Sequence, residues 1–561
     1  MQARQTATFS APVPAKGGPT VCILTAGRGT RMGGGGPSLI NKALVPLEGR
    51  ALISHIIEAC PGTARFVIGL GHAGSQVRGY LGLAHPEREI EFVEVNPWHG
   101  PRTGPGRSLM CCREKLGGPF YFVVCDALPL APIDVESIGD WAGICPIPTA
   151  ESGRFCNFVV DEAGVVTEIM DKRRPPGDVA QAWTGIMRIE STDLFWSALE
   201  RGGEIAGEIQ ISAGLQALVA ARRLRVRETP WCDAGDEECY RRLVIEKHGY
   251  DFGKPGEALY FVGDRVIKLF ADEAVAEARV ERARMRPELF PELIPSPRGF
   301  VAYRFAEGRT MYSCVTLGLF KRFLGWAREK LWKPVEGSGE GFASLCDRFY
   351  RVKTMERVAT LREQVPGAGA AGLVNGVEVP SVDELLERVP WERLNAGVPV
   401  FFHGDLQFDN VVHNEGTGRF MLLDWRQEFA GERRFGDVYY DLAKLLAGIL
   451  VDLGAARRGE FEYSERDGEV LVSLARAPHA DELIAELEAT TRELGLDFGR
   501  VRLLAGLIYL NMAPLHTAPF RDAMVAMARV RLDRELPERD GATARPIALR
   551  VPGRSYIAKA S

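Results

Sequence analysis

Short apolar runs alternate with stretches of helical periodicity from residue 20 to about 245, and this rhythm most narrows the folds open to the chain. The runs predicted as buried strands are "TVCILTAG", "ARFVIGL", "IEFVEV" and "FYFVVCD". The stretches predicted as intervening helices are "ALISHIIEAC" and "AGSQVRGYLG". Strands and helices in alternation favour an α/β fold with a mostly parallel, doubly wound sheet, whose ligands bind at the carboxyl ends of the strands.

The size and composition narrow the class of protein further. A chain of 561 residues is long enough for more than one domain. A net charge of −5 argues against a broad nucleic-acid-binding face, so no nucleic-acid partner is expected. No uncharged apolar window reaches about 18 residues, so no membrane insertion is expected. The start lacks the apolar centre of a signal peptide and the eleven cysteines form no C-x-x-C pair, which favours reduced thiols and a cytoplasmic location.

The pattern changes across "HGYDFGKPGE" (248–257), where we place a domain boundary. The segment "ALYFVGDRVIKLF" predicts a hairpin around Gly263-Asp264, and "DEAVAEARVERARM" predicts a helix with Asp272 near its N-cap. The remainder is predicted to be mainly helical, with a short β insertion at "VFFHGDLQFDNVV" and "RFMLLDW". The predicted organisation is a tail over 1–19, domains over 20–247, 248–312 and 313–540, and a tail over 541–561.

The stretch "ILTAGRGTRM" (23–32) carries an apolar strand directly into a glycine loop. Gly27 and Gly29 permit unusual backbone angles and close approach to a ligand. Arg28 and Arg31 can neutralise phosphate charge through a fixed fork of donors. By itself the loop is also compatible with an ordinary turn between strand and helix.

The block that follows, "NKALVPLEGRALISHII" with Lys42 near its start, resembles the N-terminal signature of sugar-nucleotide and phosphocholine nucleotidyltransferases, which have a Rossmann-like fold. Thr25, Ala51 and Asp236 depart from the usual pattern. The resemblance extends through "GPGRSLMCCREKL", "FYFVVCDAL", "VTEIMDKRRPPGDVAQAWTGI" and "WCDAGDEECY". It implies the following roles: nucleotide binding by Ala26, Gly27, Gly29, Gly104 and Gly106; catalysis by Arg31, Lys42 and Lys172, the last on the acceptor's phosphate; and metal binding by Asp126 and Asp233.

The implied reaction is attack of a phosphomonoester oxygen on the α-phosphorus of an NTP, with release of pyrophosphate. Mg²⁺ on Asp126 and Asp233 would bridge the α-phosphate and the acceptor phosphate. Arg31 and Lys42 would stabilise charge on the departing pyrophosphate. Positioning and charge neutralisation suffice, so no nucleophilic side chain is required.

A second phosphate-handling signature is "FFHGDLQFDNVVH", followed by "RFMLLDW". It resembles that of the aminoglycoside and choline phosphotransferases, relatives of protein kinases, and implies a two-lobed, kinase-like α+β domain. Asp405 would orient or deprotonate the acceptor hydroxyl, and Asn410 and Asp424 would hold Mg²⁺ on the ATP phosphates. Lys268 would pair with the α/β phosphates and with a carboxylate on the next helix, either Glu277, which we favour, or Glu281.

Three further segments complete this resemblance. "VAYRFAEGRTM" is predicted as the hinge between the lobes, and "FGDVYYDLAKLL" as a structural helix N-terminus. Trp425 and Arg426 either pack beside the metal site or contact the acceptor.

The two signatures together predict a bifunctional enzyme. The kinase would phosphorylate a small hydroxylated acceptor (an amino alcohol, a polyol or a sugar) with ATP. The first domain would then couple the product to a second NTP, for which CTP is favoured, in a route to surface polysaccharide or lipid. Fusion would raise the local concentration of the intermediate.

Three alternatives remain open at this point. The pair could be a sugar kinase and a sugar-1-phosphate nucleotidyltransferase, or one domain could be a regulatory pseudoenzyme. Phosphorylation of aminoglycosides would leave the first domain unexplained. The sequence also leaves open whether the chain forms a homodimer.

Overall fold

The computed structural model describes residues 18–29, 39–205, 207–235, 238–240 and 256–537. These residues form two compact units. The first contains the described residues up to 240 together with 256–276 and Ile294–Tyr303, and the second contains Glu277–Leu293 and the described residues from Arg304 onward. Most of the predicted domain boundary (248–255), nearly all of the N-terminal tail and the whole C-terminal tail lie outside the described residues.

The first unit alternates strands and helices, as the apolar rhythm predicts. Its strands are β1 (Thr20–Leu24), β2 (Pro46–Leu47), β3 (Arg50–Ala51), β4 (Arg65–Leu70), β5 (Glu89–Glu94), β6 (Phe120–Val124), β7 (Ala127–Pro129), β8 (Trp141–Pro148), β9 (Cys156–Val160), β10 (Val166–Asp171), β11 (Val179–Ile189), β12 (Glu204–Ile205), β13 (Glu208–Ile209), β14 (Arg225–Glu228), β15 (Trp231–Asp233), β16 (Glu257–Val262), β17 (Arg265–Phe270), β18 (Leu293–Ile294, at the edge of the unit) and β19 (Phe300–Arg304). Its helices are α1 (Leu52–Glu58), α2 (Gly74–Ala84), α3 (Pro105–Leu116), α4 (Thr192–Arg201) and α5 (Ser212–Ala220), and α6 (Glu273–Met285) begins in it.

The main sheet of this unit has nine strands and is mixed. Its strand order is β10-β9-β11-β6-β1-β4-β5, and β8 and β14 continue from β11. Strands β6, β1, β4 and β5 are parallel, whereas β11 runs antiparallel to β6, β8 and β9. The predicted parallel, doubly wound arrangement therefore describes the N-terminal strands, and antiparallel pairing extends the sheet beyond them.

Two apolar cores cover the two faces of this sheet. Val21 and Ile23 belong to one core and Cys22 to the other, because successive residues of a strand point to opposite faces. The first core also contains Tyr260 and Phe300, from the small sheet β16-β17-β19-β18.

The small sheet packs directly on α2. The rings of Tyr80 and Tyr260 lie 4.6 Å apart, and the Tyr260 hydroxyl donates to the Leu44 carbonyl. A side chain at Gly79 would come within 2.7 Å of the Phe300 ring, so α2 needs glycine at this crossing. The predicted hairpin around Gly263-Asp264 is present as β16 and β17, and the Asp272 carboxylate accepts from the Ala274 N–H at the start of α6, as predicted.

The second unit is mainly helical. Its helices are α7 (Met311–Cys314), α8 (Leu317–Trp326), α9 (Phe342–Asp347), α10 (Lys353–Gln364), α11 (Val382–Arg388), α12 (Trp391–Asn395), α13 (Val438–Leu450), α14 (Leu453–Arg457), α15 (Ala480–Glu493), α16 (Phe498–Met512) and α17 (Phe520–Glu535). Its strands are β20 (Arg309–Thr310), β21 (Gly372–Val374), β22 (Val377–Val379), β23 (Pro399–Val400), β24 (Val411–Asn414), β25 (Arg419–Leu422), β26 (Gly436–Asp437), β27 (Phe461–Arg466) and β28 (Glu469–Leu474). Within the described residues, no helix has the length and apolarity needed to cross a bilayer.

The predicted β insertion is present as the antiparallel pair β24-β25, but the sheet β22-β21-β28-β27 was not predicted. Two dipeptides mark its hairpins, Asn375-Gly376 and Asp467-Gly468. All four residues have φ between 49° and 79°, which is the conformation of tight hairpin turns and favours Asn-Gly and Asp-Gly. These strands are short and lie between helices in the sequence, so the two turn dipeptides were not interpreted as hairpin turns.

Candidate active sites

The glycine loop leaves β1 on a well-anchored base. The Thr25 N–H and hydroxyl both donate to the Gly69 carbonyl at 2.9 Å, and the His72 N–H donates to the Ala26 carbonyl at 3.1 Å. Gly27 is exposed, and no described atom lies within 4 Å of where its Cβ would stand. Gly29 has φ +64°. The loop therefore presents backbone to open space, while Arg31 lies outside the described residues.

Asn41 connects this loop to Lys42, and sequence reasoning missed it. Its buried amide donates to the Thr25 carbonyl at 2.8 Å and to the His72 carbonyl at 2.6 Å. Its side-chain oxygen accepts from the Ala43 N–H at 2.9 Å, which caps the helical turn that carries Lys42. The only available signal was a polar residue directly before an apolar block.

Two carboxylates from distant parts of the sequence meet beside Lys42. Strand β15 pairs with β7 so that Asp233 lies opposite Ala127, the neighbour of Asp126. A Cβ placed on Gly235 would stand 2.6 Å from Asp233 Oδ1 and 3.5 Å from Asp126 Oδ2, so both carboxylates border one small space. Lys42 Nζ lies 2.5 Å from Asp126 Oδ2. The structure thus brings together three of the predicted residues.

A pair of carboxylates fits a Mg²⁺ ion that takes its other ligands from water and substrate phosphates. Among the described residues, no group of three or more His, Cys, Asp or Glu side chains is arranged to hold a metal. Asp233 pairs with the half-exposed Arg154, a residue that sequence reasoning did not select. Both carboxylates therefore face a cation from the chain itself.

Lys172 is exposed and stands on the turn after β10, with φ +50°. Asn157 holds this turn by donating at 3.0 Å to both the Arg173 and the Ser152 carbonyls. The Lys172 ammonium makes no polar contact with another described residue, so its role on an acceptor phosphate stays a prediction.

Gly104 and Gly106 have a packing role in the protein itself. Gly104 has φ +108° at the N-cap of α3, and its Cβ would meet the Ile209 carbonyl at 2.9 Å. A Cβ on Gly106 would meet the same carbonyl at 2.8 Å. These glycines let α3 approach the backbone around Ile209, and base binding by this loop stays a prediction.

In the second unit, the HGD segment forms a tight loop around Asp405. Asn410 Nδ2 donates to the Asp405 carbonyl at 2.8 Å, and the side-chain oxygen of Asn410 takes no part in this bond. Gln407 Nε2 donates to Asp405 Oδ1 at 2.9 Å, and Lys444 Nζ lies 2.7 Å from the same oxygen. The predicted pair Asp405 and Asn410 is therefore close in space, and Lys444 is an addition from α13.

His403 has a structural role in this loop. Its Nε2 donates to the Leu423 carbonyl at 2.8 Å, and its Nδ1 accepts from the Asp405 N–H at 3.1 Å. Burial lowers the pKa of His403 to about 4. The ring is therefore neutral at physiological pH, with its proton on Nε2, and it ties the loop to the strand that leads to Asp424.

The buried carboxylate of Asp441 holds the loop from below. It accepts the N–H of His403 at 2.8 Å, the N–H of Gly404 at 2.7 Å and the Trp332 indole N–H at 3.1 Å. Burial raises the pKa of Asp441 to about 6. The predicted helix N-terminus is confirmed at Asp437, which accepts from the Tyr439 N–H at the start of α13.

Asp424 adopts φ +51° and pairs with Arg279 of α6. Trp425 is buried, and its indole N–H donates to the Arg279 carbonyl at 2.8 Å, which gives this tryptophan a packing role. Asn410 and Asp424 supply one amide and one carboxylate oxygen, a donor set that suits Mg²⁺ on ATP phosphates.

The remaining predicted residues lie on the predicted elements. Lys268 is half-buried on β17, and Glu277 is exposed on α6. Glu281 pairs with Arg433 at 2.6 Å, and the role of Glu277 as the carboxylate partner of Lys268 stays a prediction.

Comparisons with known proteins agree with both signatures. A family model described as the MobA-like NTP transferase domain matches residues 21–143, and one described as the phosphotransferase enzyme family matches residues 353–469. The chain therefore joins an NTP-transferase domain to a phosphotransferase domain, which confirms the predicted fusion.

Two similar curated proteins each match about a third of the chain. The bifunctional protein GlmU of Halorhodospira halophila is 26% identical over 213 residues, or 36% of this chain and 42% of that protein. GlmU of Burkholderia thailandensis is 25% identical over 214 residues, or 36% and 45%. The chain thus spans less than half the length of these relatives.

Two solved structures align with about two-fifths of the chain. A UDP-glucose pyrophosphorylase complexed with UDP-glucose is 16% identical and covers 41% of this chain and 98% of its own, with a TM-score of 0.35. A glucose-1-phosphate thymidylyltransferase from Bacillus anthracis is 20% identical and covers 42% and 98%, also with a TM-score of 0.35.

Proposed function

We propose that the protein is a bifunctional enzyme that first phosphorylates a small hydroxylated compound with ATP and then transfers a nucleotidyl group to the product. The observation that carries this proposal is the presence of two separate phosphate-handling constellations in one chain. One is Lys42 with Asp126 and Asp233 beside an open glycine loop, and the other is Asp405 with Asn410 in a braced loop.

In the kinase step, Asp405 would accept the hydrogen bond of the acceptor hydroxyl and take its proton as the oxygen attacks the γ-phosphorus. Lys444, which contacts the same carboxylate oxygen, would keep Asp405 ionised and oriented. Asn410 and Asp424 would hold Mg²⁺ here, as Asp126 and Asp233 would in the first unit, where the ion neutralises phosphate charge and aligns the reacting groups.

In the nucleotidyl-transfer step, the backbone after Thr25 would receive the NTP phosphates, and Lys42 would offset the charge of the departing pyrophosphate. We favour CTP as the NTP, because the signature resembles that of phosphocholine nucleotidyltransferases. The product would be an activated precursor for surface polysaccharide or lipid.

The test is incubation of purified protein with ATP, CTP, Mg²⁺ and a panel of hydroxylated acceptors, with mass spectrometry of the products. The expected products are a phosphomonoester and a CDP-linked compound. Asp405→Asn should abolish the phosphomonoester, yet still convert an added phosphomonoester to the CDP-linked product. Asp126→Ala should accumulate the phosphomonoester alone. If each variant retained both reactions, the proposal would be wrong; if only UTP, GTP or dTTP gave product, the preference for CTP alone would be wrong.

A further inference from the structure

Four basic side chains form a cluster that includes Lys444, the lysine that contacts Asp405. Besides Lys444, they are Lys353 and Arg357, one turn apart on α10, and Arg426, two residues after Asp424. The charges of Arg426, Lys444 and Arg357 each lower the pKa of Lys353, and the charge of Asp405 raises it. All four groups therefore lie near the Lys353 ammonium. The cluster comes from three segments of the chain. Lys353 and Arg357 lie on α10, Lys444 lies on α13, and Arg426 lies in the loop after β25.

One aromatic ring organises two of the cations. Lys353 Nζ lies 3.9 Å from the centre of the Phe349 ring, and the Arg426 guanidinium carbon lies 4.9 Å from it. The Tyr440 ring lies beside the Phe349 ring, 4.8 Å from it centre to centre, and its own centre is 5.4 Å from Lys353 Nζ. Cation–π contacts orient both groups but leave their charge without a counter-ion.

The carboxylates nearby are already engaged. Asp405 faces Lys444, and Asp424 pairs with Arg279. Among the described residues, no carboxylate lies within ion-pair distance of Lys353, Arg357 or Arg426. The buried Nε of Arg426 also has no hydrogen-bond partner there.

Such a cluster is unfavourable in the free protein. Burial, together with the charges of Arg426, Lys444 and Arg357, lowers the pKa of Lys353 well below its usual range. Lys353, Arg357 and Arg426 are half-buried, and a charge that is partly removed from water without a counter-ion is costly. An anionic ligand would reduce that cost.

We propose that the acceptor of the kinase carries an anionic group, a carboxylate or a phosphate ester, which Lys353 and Arg426 bind while the acceptor hydroxyl meets Asp405. This inference rests on the proposed kinase function and names its substrate class. The hydroxyl oxygen forms a bond to the γ-phosphorus of ATP, the bond between that phosphorus and the β–γ bridging oxygen breaks, ADP leaves and Asp405 takes the hydroxyl proton. A cationic amino alcohol is disfavoured, because it would enter a positively charged site.

The experiment measures binding to the full chain saturated with Mg²⁺ and a non-hydrolysable ATP analogue. Calorimetry would compare matched probes that differ in one group: glycerate with glycerol, gluconate with sorbitol, glucuronate with glucose, and glycerol phosphate with glycerol, alongside choline and ethanolamine. We expect at least one anionic probe to bind about 10-fold or more tightly than its neutral counterpart, as a charge-assisted hydrogen bond would give.

Lys353→Gln should remove most of that preference and raise KM for the anionic acceptor without changing KM for ATP. Arg357→Gln is a second variant, for which we expect a smaller change in the same direction. Lys321→Gln is the matched control, since this exposed lysine of α8 pairs with Glu486 at 3.3 Å. It should retain the full preference.

Three results would overturn the inference: equal or tighter binding of neutral or cationic probes, absence of binding by every anionic probe, or an anion preference that survives Lys353→Gln. A rise in KM for ATP alone would do the same, since it would assign the cluster to the nucleotide. ADP release is measured in parallel with ATP. Failure to phosphorylate any probe that binds would contradict the proposed kinase, whereas the binding comparison would still decide the charge of the ligand.

Discussion

Replacing Asp441 by Asn should reduce kinase activity while changing the free energy of unfolding at pH 7 by less than about 2 kcal/mol. The carboxylate accepts backbone N–H groups of the loop that carries Asp405, at 2.8 Å from His403 and 2.7 Å from Gly404. An amide has a single acceptor oxygen, so one of these N–H groups would face an NH₂ group and the loop would shift. A displacement of about 1 Å at a reacting group can cost about 100-fold in rate.

The effect on stability follows from two opposing contributions. Burial raises the pKa of Asp441 from 3.8 to about 6, so folding disfavours the charged form by about 3 kcal/mol at pH 7. The uncharged amide avoids this cost. It introduces an unsatisfied backbone N–H, which costs about 1–3 kcal/mol. The two nearly cancel, so the free energy of unfolding at pH 7 should change by less than about 2 kcal/mol.

The pH dependence has a definite sign. Because the folded pKa is above the unfolded one, the stabilisation from protonating Asp441 is complete below about pH 4 and is lost as the pH rises through 6. Wild type should therefore gain about 1.4 kcal/mol relative to Asp441→Asn between pH 7 and pH 5. Urea denaturation at both pH values and kcat with the identified acceptor measure the two effects.

Trp332→Phe is the control for this prediction. It removes the 3.1 Å indole hydrogen bond to the same carboxylate but leaves both backbone bonds to the loop, so kcat should be retained. Asp441 does not hold the loop in the way described if Asp441→Asn keeps wild-type kcat, or if its stability difference from wild type does not change between pH 7 and pH 5.

Three other substitutions test separate parts of the structure. Arg500→Met should lower the free energy of unfolding by about 3–5 kcal/mol, because it leaves the fully buried Asp437 carboxylate without its cation, and a loss below about 1 kcal/mol in urea denaturation would contradict this. Tyr260→Phe should cost about 1 kcal/mol for the lost hydrogen bond to Leu44, measured the same way, whereas an unchanged midpoint would show that this bond adds nothing. Asn41→Ala should raise KM for the NTP in a pyrophosphate-release assay with little effect on the kinase; equal loss of both activities would indicate general misfolding instead.

Local pattern was sufficient for the elements whose period or turn chemistry is strong. The apolar runs at β1, β4, β5 and β6 and the hairpin around Gly263-Asp264 lie where the sequence predicts them. The sheet containing β21 and β28 was missed, although the dipeptide Asn375-Gly376 is typical of the hairpin turn that joins two of its strands. Its strands are brief, and they become a sheet only because β21 pairs with β28, about 95 residues away in sequence.

The candidate sites likewise combine residues that local sequence predicts with residues that only the fold brings together. Glycine loops, the HGD motif and the aspartates at strand ends are local signals, because phosphate and Mg²⁺ chemistry requires those residue types in short, recognisable spacings. They identify the two domains and predict Lys42, Asp126, Asp405 and Asn410 as site residues.

Only the tertiary structure determines which charged side chains lie next to the predicted site residues. Arg154 reaches Asp233, Arg279 reaches Asp424, and Lys353 enters the surroundings of Asp405 from a different helix than Lys444. An isolated lysine or arginine on an amphipathic helix has the same pattern whether it faces water or a buried site. The role of such a side chain depends on what packs against it, since burial and neighbouring charge are properties of the folded chain and not of its local sequence.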